Sequence, residues 1–395
     1  MLELLLKISK QHPAFFLPFT ELHKNLTERV DKGLINKQVH NGLELYTYSR
    51  DCQFDKSNWD MFTLMARGLV LCPEQEKIIA GVFPKFFNFG EISTVLPDET
   101  FTITEKLDGS LVIIYFAEGQ WNCITKGSFT SEQALWATKW LYDNIHVGSL
   151  HKGMTYLAEA IYPENRIVVS YDYTGLVLLS AYTEDGYEIT RSDLELEAEC
   201  TGFKIVQEKH YDSIDEMVEV AKTMDLSSEG FVVRFENGYR LKIKSDEYCR
   251  VHKLVSNCTP LAIWDIMRHG GDLEVIRKDL PEEFHKDFDQ IVNLLREKFD
   301  NSLRIVRGFY YETEDLTNKE LGLALKNGKY NDRLPFVRAC AFPCRREGFF
   351  EKVFEPFLTN DTRHPRRFLF ESFRPIGNVL EGFEPSSVMN RFEES

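Results

Sequence analysis

Glu105-Lys106-Leu107-Asp108-Gly109-Ser110 sets a lysine beside an acid and a flexible glycine, between two apolar runs. Residues 101–106 alternate like a half-buried strand, and Leu111-Val112-Ile113-Ile114-Tyr115-Phe116 reads as a buried one. The two runs predict a turn that puts Lys106 at a pocket wall as a nucleophile. An amine attacks phosphorus only when unprotonated, so burial or neighbouring cations must lower its pKa. Alone, a Lys-x-Asp-Gly tetrapeptide also fits an ordinary surface turn.

Four further segments follow in an order that suits a covalent lysyl-nucleotide site. Lys126-Gly127-Ser128 ends the strand-like residues 120–125 and precedes a helical stretch over 130–142. It fits either a plain strand-to-helix turn or a place where backbone and ammonium donors meet phosphates. Tyr156-Leu157-Ala158-Glu159-Ala160-Ile161 puts one acid in an apolar run. An unpaired carboxylate is costly there, so Glu159 needs a ribose hydroxyl, a metal-bound water or a cation. Ser228-Glu229-Gly230-Phe231-Val232-Val233 leads an acid and a glycine into a buried strand, as a hairpin corner also would. Tyr239-Arg240-Leu241-Lys242-Ile243-Lys244 alternates strictly, so Lys242 and Lys244 share one face and Leu241 and Ile243 the other. Two such lysines fit a solvated edge, but a short Glu236-Asn237-Gly238 turn joins them to the acid-glycine strand as a hairpin would.

These ordered motifs resemble those of the covalent nucleotidyltransferases, the superfamily of ATP-dependent ligases and capping enzymes. They are most similar to the phage-type RNA ligase 1 family. The resemblance runs through Met65-Ala66-Arg67-Gly68-Leu69-Val70, Pro84-Lys85-Phe86-Phe87-Asn88, residues 106–110, Thr125-Lys126-Gly127-Ser128 and Ser131-Glu132-Gln133-Ala134-Leu135. It continues in the Glu159 segment with Asn165-Arg166-Ile167-Val168, in Glu229-Gly230 and in Lys242-Ile243-Lys244-Ser245-Asp246. Roughly residues 40–255 are covered, and Lys-Phe-Phe-Asn and Lys-Ile-Lys-Ser-Asp are the discriminating strings.

The resemblance implies an α+β nucleotidyltransferase (ATP-grasp-like ligase) domain of antiparallel sheets with flanking helices over residues 1–255, including an N-terminal extension. A mainly α-helical C-terminal domain over 256–395 would follow, with a role in choosing RNA. Lys106 would attack the α-phosphate of ATP, pass AMP to an RNA 5′-phosphate, and leave a 3′-hydroxyl to displace it. Lys126, Lys242 and Lys244 would stabilise charge around phosphorus, with Lys242 and Lys244 also depressing the Lys106 pKa. Arg67 and Lys85 would line the β- and γ-phosphates, and Phe87 would support the adenine pocket. Glu105, Gly109 and Gly230 complete the nucleotide-binding set. Glu159 would meet the ribose or a metal water, and Asp108 and Glu229 would hold Mg2+, or Mn2+ in its place, through water. The implied partners are ATP and RNA, with broken tRNA as the substrate and a kinase or phosphatase to heal its ends. The chain is expected to be a monomer in the cytoplasm, or the nucleus, with no membrane contact.

Composition agrees with that expectation. At 395 residues with 43% hydrophobic and 13% aromatic side chains, the chain can build two cores. No apolar run approaches membrane-spanning length, and residues 1–10 are too short in their apolar part for a signal peptide. Leu2, Leu4, Leu5, Leu6 and Ile8 fit a packing helix instead. Among the eight cysteines only Cys340 and Cys344 are close, which suits reduced thiols and a helical packing pair rather than half a zinc site. The net charge of −15 excludes coating of nucleic acid by overall charge, not local contact through a few cations. Arg338, Arg345, Arg346, Arg363, Arg366, Arg367 and Arg374 lie among Phe342, Phe349, Phe368, Phe370 and Phe373. They read either as phosphate and base contacts or as the salt bridges and core of a helical domain.

Strand signals fade after Asp246, and Phe288, Ile291, Val292, Leu295, Phe299, Leu303 and Val306 fall at helical spacing. The boundary is expected near residues 250–260. Helix should extend to about residue 358, then give way to irregular chain carrying Pro365, Pro375 and Pro385. Alternating strands of the small β-barrel found in other ligases and capping enzymes are missing. That disfavours a DNA ligase or a GTP-using capping enzyme, while the intact motif residues disfavour a non-catalytic RNA-binding module.

Overall fold

The computed structural model describes residues 10–91, 96–345, 353–356, 364–377 and 379–385. The packing helix expected over the first residues, and Arg346, Phe349 and Arg363, lie outside them. The chain divides into two compact units, Met1–Cys249 and Arg250–Glu394.

The first unit is α+β, with three sheets among the described residues. The first sheet is an antiparallel meander of β1 (Ile35–His40), β2 (Leu43–Tyr48), β3 (Arg67–Cys72) and β4 (Lys77–Ala80). An Asn41-Gly42 pair, both at positive φ, closes its first hairpin, because a two-residue turn of that hand matches strand twist. A second group comprises β5 (Phe87–Asn88), β6 (Phe101–Glu105), β7 (Ser110–Ala117), β8 (Gln120–Thr125), β9 (Thr155–Ile161) and β10 (Gly175–Tyr182). The remaining strands are β11 (Lys204–Ile205), β12 (Glu208–Lys209), β13 (Gly230–Phe235) and β14 (Arg240–Lys244). They form one sheet in the order β11-β10-β9-β7-β8 and another in the order β12-β6-β13-β14-β5. All pairings are antiparallel except the short β10–β11 and β14–β5 contacts.

This topology decides where the nucleophile sits. β6 belongs to the third sheet and β7 to the second, so residues 106–109 carry the chain from one to the other. On one side β7 pairs with β9, setting Leu111 opposite Glu159; on the other, β6 pairs with β13, setting Glu105 opposite Phe231. β13 and β14 form the expected hairpin, with Gly230 opposite Lys244 and Val232 opposite Lys242. Helix Glu132–Asn144 follows β8 and is capped by the Ser131 hydroxyl, which accepts from the Ala134 N–H.

The second unit is helical. Its longest helix, His285–Glu312, buries Phe288, Ile291, Val292, Leu295, Phe299, Leu303 and Val306, the stripe read from spacing. A further helix, Pro365–Glu371, corrects the irregular segment expected there: Pro365 occupies the first turn, where a missing N–H costs no hydrogen bond. Of the two readings of the arginines, the packing one describes Arg366 and Arg345. Arg366 is buried and donates to the carbonyls of Arg268, Val353 and Met267, while Arg345 donates to those of Thr313 and Leu316. Such donors satisfy helix-end carbonyls and are spent within the fold. Arg338 meets Asn331 Oδ1 at 3.0 Å, Arg374 lies over the Trp264 ring, and Phe370 is core. Arg367 is half-buried. All eight cysteines are free thiols, and Cys340 and Cys344 are buried. No described group of three or more His, Cys, Asp or Glu side chains is placed to hold a metal ion, and no described helix is long and apolar enough to cross a membrane.

Candidate active site

Lys106 leaves β6 with its backbone N–H bonded to the Gly230 carbonyl at 2.8 Å. Its ammonium donates to Glu229 Oε2 at 2.6 Å, and the Lys244 ammonium lies 2.8 Å from Glu229 Oε1. Glu229 is only 3% exposed. Two ion pairs offset the cost of burying that carboxylate and hold it well below the usual carboxylate range, although burial opposes them. Gly230 makes the geometry attainable: at φ +136°, an added Cβ would lie 2.1 Å from the Ile243 carbonyl. Gly109 is tight in the same way, since a Cβ there would stand 2.5 Å from the Ala160 carbonyl.

The electrostatics reverse one expectation. Burial alone would lower the Lys106 pKa, but the Glu229 and Glu159 carboxylates overcome it and raise the pKa. Lys242 is instead the depressed amine, pushed down to about 6 by burial and then by Lys85, Lys106, Lys244 and Arg67. Acids surround Lys106 and cations surround Lys242. Burial, partly offset by Lys106 and reinforced by Glu229, pushes the Glu159 carboxyl up to about 8.

A second cationic group adjoins the first. Burial and then Arg67 lower Lys85 to about 8; burial, Arg67 and Lys85 also lower Lys126, with Tyr48 opposing. Arg67 donates to the Phe83 carbonyl at 3.4 Å and lies over the Phe86 ring. Phe87 faces the core, edge-on to Trp59, and its ring lies beneath Lys85. Asp108 is held in place by three donors. Its Oδ2 accepts the Val168 and Val169 N–H groups and its Oδ1 the Tyr248 hydroxyl, each at 2.8 Å, so both oxygens are engaged in a buried anchor. Tyr171 in turn accepts the Asp108 N–H. Glu105 lies by Tyr173, whose phenol is pushed up to about 12 by burial and then by that charge.

Residues 65–248 match the RNA ligase family of the T4 ligase 1 type. That region, just under half of the chain, is similar to the phage-type RNA ligase 1 family. It is 25% identical to a baculovirus protein of Autographa californica nuclear polyhedrosis virus described as a bifunctional polynucleotide kinase/RNA ligase, over 93% of this chain and 53% of that one. It is also 25% identical to the RNA ligase of Rhodothermus phage RM378, over 57% of this chain and 67% of that one. An archaeal ATP-dependent RNA ligase structure aligns at 15% identity and a TM-score of 0.46, covering 62% of this chain and 69% of that one. The chain spans about half the length of the baculovirus relative.

The structure brings Lys106, Glu159, Glu229, Lys242 and Lys244 around one seam and joins Arg67, Lys85 and Lys126 to them through mutual repulsion. The sequence reading missed Tyr48, Trp59, Tyr171 and Tyr248. Tyr48 and Trp59 precede the family's matched residues, and aromatic rings in apolar runs look like any core residue. Tyr248, two residues after Asp246, carried no pattern either.

Proposed function

We propose that this chain is an ATP-dependent RNA ligase that joins an RNA 5′-phosphate to a 3′-hydroxyl through lysyl-AMP and adenylated RNA. The observation that carries this reading is Lys106 at the seam of two sheets, with carboxylates at its amine and a floor of lysines beside it. Three of those lysines have pKa values lowered first by burial and then by neighbouring cations, and a polyphosphate would offset both.

Lys106 Nζ forms the bond to the α-phosphorus as the bond to the β-phosphate oxygen breaks and pyrophosphate leaves. Lys242 and Lys244 stabilise charge on the α-phosphate, and Arg67, Lys85 and Lys126 neutralise the leaving group. Glu159 and Glu229 fit a hydrated divalent cation, because oxygen donors that both crowd one site favour a positive partner. Mg2+, or Mn2+, would supply charge neutralisation there. The Lys106 ammonium must shed a proton before it attacks, and Glu229 Oε2, at 2.6 Å, is placed to accept it. AMP then passes to the RNA 5′-phosphate, and a 3′-hydroxyl displaces it.

Broken tRNA is the proposed substrate, in the cytoplasm or nucleus, for a monomeric enzyme. The baculovirus relative is described as having polynucleotide kinase along with ligase, which supports a kinase or phosphatase acting before this ligase. RNA selection is assigned to residues 256–395, apart from residues 1–255 that hold the chemistry.

The test is incubation with radiolabelled ATP or GTP and a divalent salt. One acid-labile AMP should appear on wild-type protein from ATP alone, and none on Lys106→Ala, which should still seal pre-adenylated RNA. Unlabelled wild-type protein, shown free of bound AMP, sinks the reading.

A further inference from the structure

Lys85 has an unusual setting for a cation. Its ammonium lies 5.2 Å from the ring centre of Tyr48, 5.8 Å from that of Trp59 and 5.4 Å from that of Phe87. All three rings are at least nine-tenths buried and meet one another edge-on, Tyr48 to Trp59 at 68° and Trp59 to Phe87 at 88°. Among the described residues no carboxylate lies within ion-pair distance of Lys85. A cation over π faces is attracted without being neutralised, so it keeps its charge for another anion. An acid in the same place would compete with phosphate.

The seat is built into the chain. Trp59 lies between Asn58, whose carbonyl accepts from Thr63 Oγ1, and Asp60, which caps helix Met61–Met65 in a reciprocal pair with Thr63. The Lys85 N–H bonds to the Leu64 carbonyl at 2.8 Å, so the same helix fixes lysine and ring together. Tyr48, at the end of β2, also acts on Lys126.

We propose that Trp59 and Tyr48 are positioning residues whose ring faces hold the Lys85 ammonium towards the terminal phosphates of ATP. This rests on the ligase reading above. Packing alone asks only for apolar volume at residue 59, whereas a seat asks for a π face.

The experiment compares Trp59→Leu with Trp59→Phe in the full chain, measuring the ATP half-saturation of self-adenylation and the sealing of pre-adenylated RNA. Trp59→Leu should raise the half-saturation about tenfold and Trp59→Phe less than about threefold. The loss should be confined to the ATP-dependent step, since pre-adenylated RNA carries no terminal phosphates. In a Lys85→Met background the two substitutions should no longer differ. If Trp59→Leu does not fold, Tyr48→Leu against Tyr48→Phe carries the comparison, and unfolding of both Leu variants assigns the rings to packing. Equal effects of Leu and Phe, or parallel loss in both steps, overturn the proposal. Failure of wild-type protein to take up AMP is a separate result that removes the ligase reading itself.

Discussion

Lys106 and Glu229 are 123 residues apart in sequence and 2.6 Å apart in space, and the same carboxylate grips Lys244 from its other oxygen. Glu229, just before β13, therefore orders one cation from each of the two segments that flank that strand. Glu229→Gln keeps the shape and removes the charge. Self-adenylation and sealing of pre-adenylated RNA should both fall by roughly 100-fold or more, because the electrostatic arrangement serves each phosphoryl step. Loss of only the first step would confine Glu229 to controlling Lys106.

Gly230→Ala tests how tightly the strands must approach. Its Cβ would collide with the Ile243 carbonyl and meet Lys244 Cα at 2.9 Å, so β13 and β14 must separate. Adenylation should drop by more than about tenfold, as a shift near 1 Å at reacting groups suffices. Wild-type rates in this variant would show that strand spacing is slack.

Tyr248→Phe leaves Asp108 Oδ1 without its hydroxyl donor in a buried place. Urea unfolding of the protein should show a loss of about 1–3 kcal/mol. Combined with Asp108→Asn the losses should be less than additive, since each removes the same bond. Full additivity would mean that the two side chains act independently.

Arg366→Ala should destabilise the second unit by about 3 kcal/mol, because a buried guanidinium with three carbonyl partners is lost and those carbonyls are left without it. The salt dependence of RNA binding should be unchanged. An unaltered melting curve with a shallower salt slope would return Arg366 to the RNA surface.

His12 predicts a pH effect on stability. Burial holds its imidazole down to about 4 against 6.5, with a Val82 backbone bond opposing. The unfolded chain therefore binds the proton more readily. Stability is full above about pH 6.5 and falls by about 3 kcal/mol as pH drops to about 4. Urea midpoints between pH 7 and pH 4 should decline less steeply in His12→Gln, and identical slopes would count against this source.

Much of the fold and site was legible because strands repeat every two residues. Alternation at Lys242 and Lys244, lone acids at Glu159 and Glu229 in apolar runs, and the helical stripe from Phe288 each state a face before any partner is known. The chain's own order of segments was also enough for the resemblance to RNA ligases. What the sequence could not contain was who stands next to whom. The β6-to-β7 crossing gives the carboxylates to Lys106 and leaves Lys242 among cations, so the lysine with the lowered pKa is not the nucleophile. Tyr248 reaches Asp108 across 140 residues, Lys85 finds its rings on three separate segments, and Arg366 turns inward to carbonyls. Charge, burial and ring contact fall off within a few ångströms, and those distances exist only once the sheets and helices have packed.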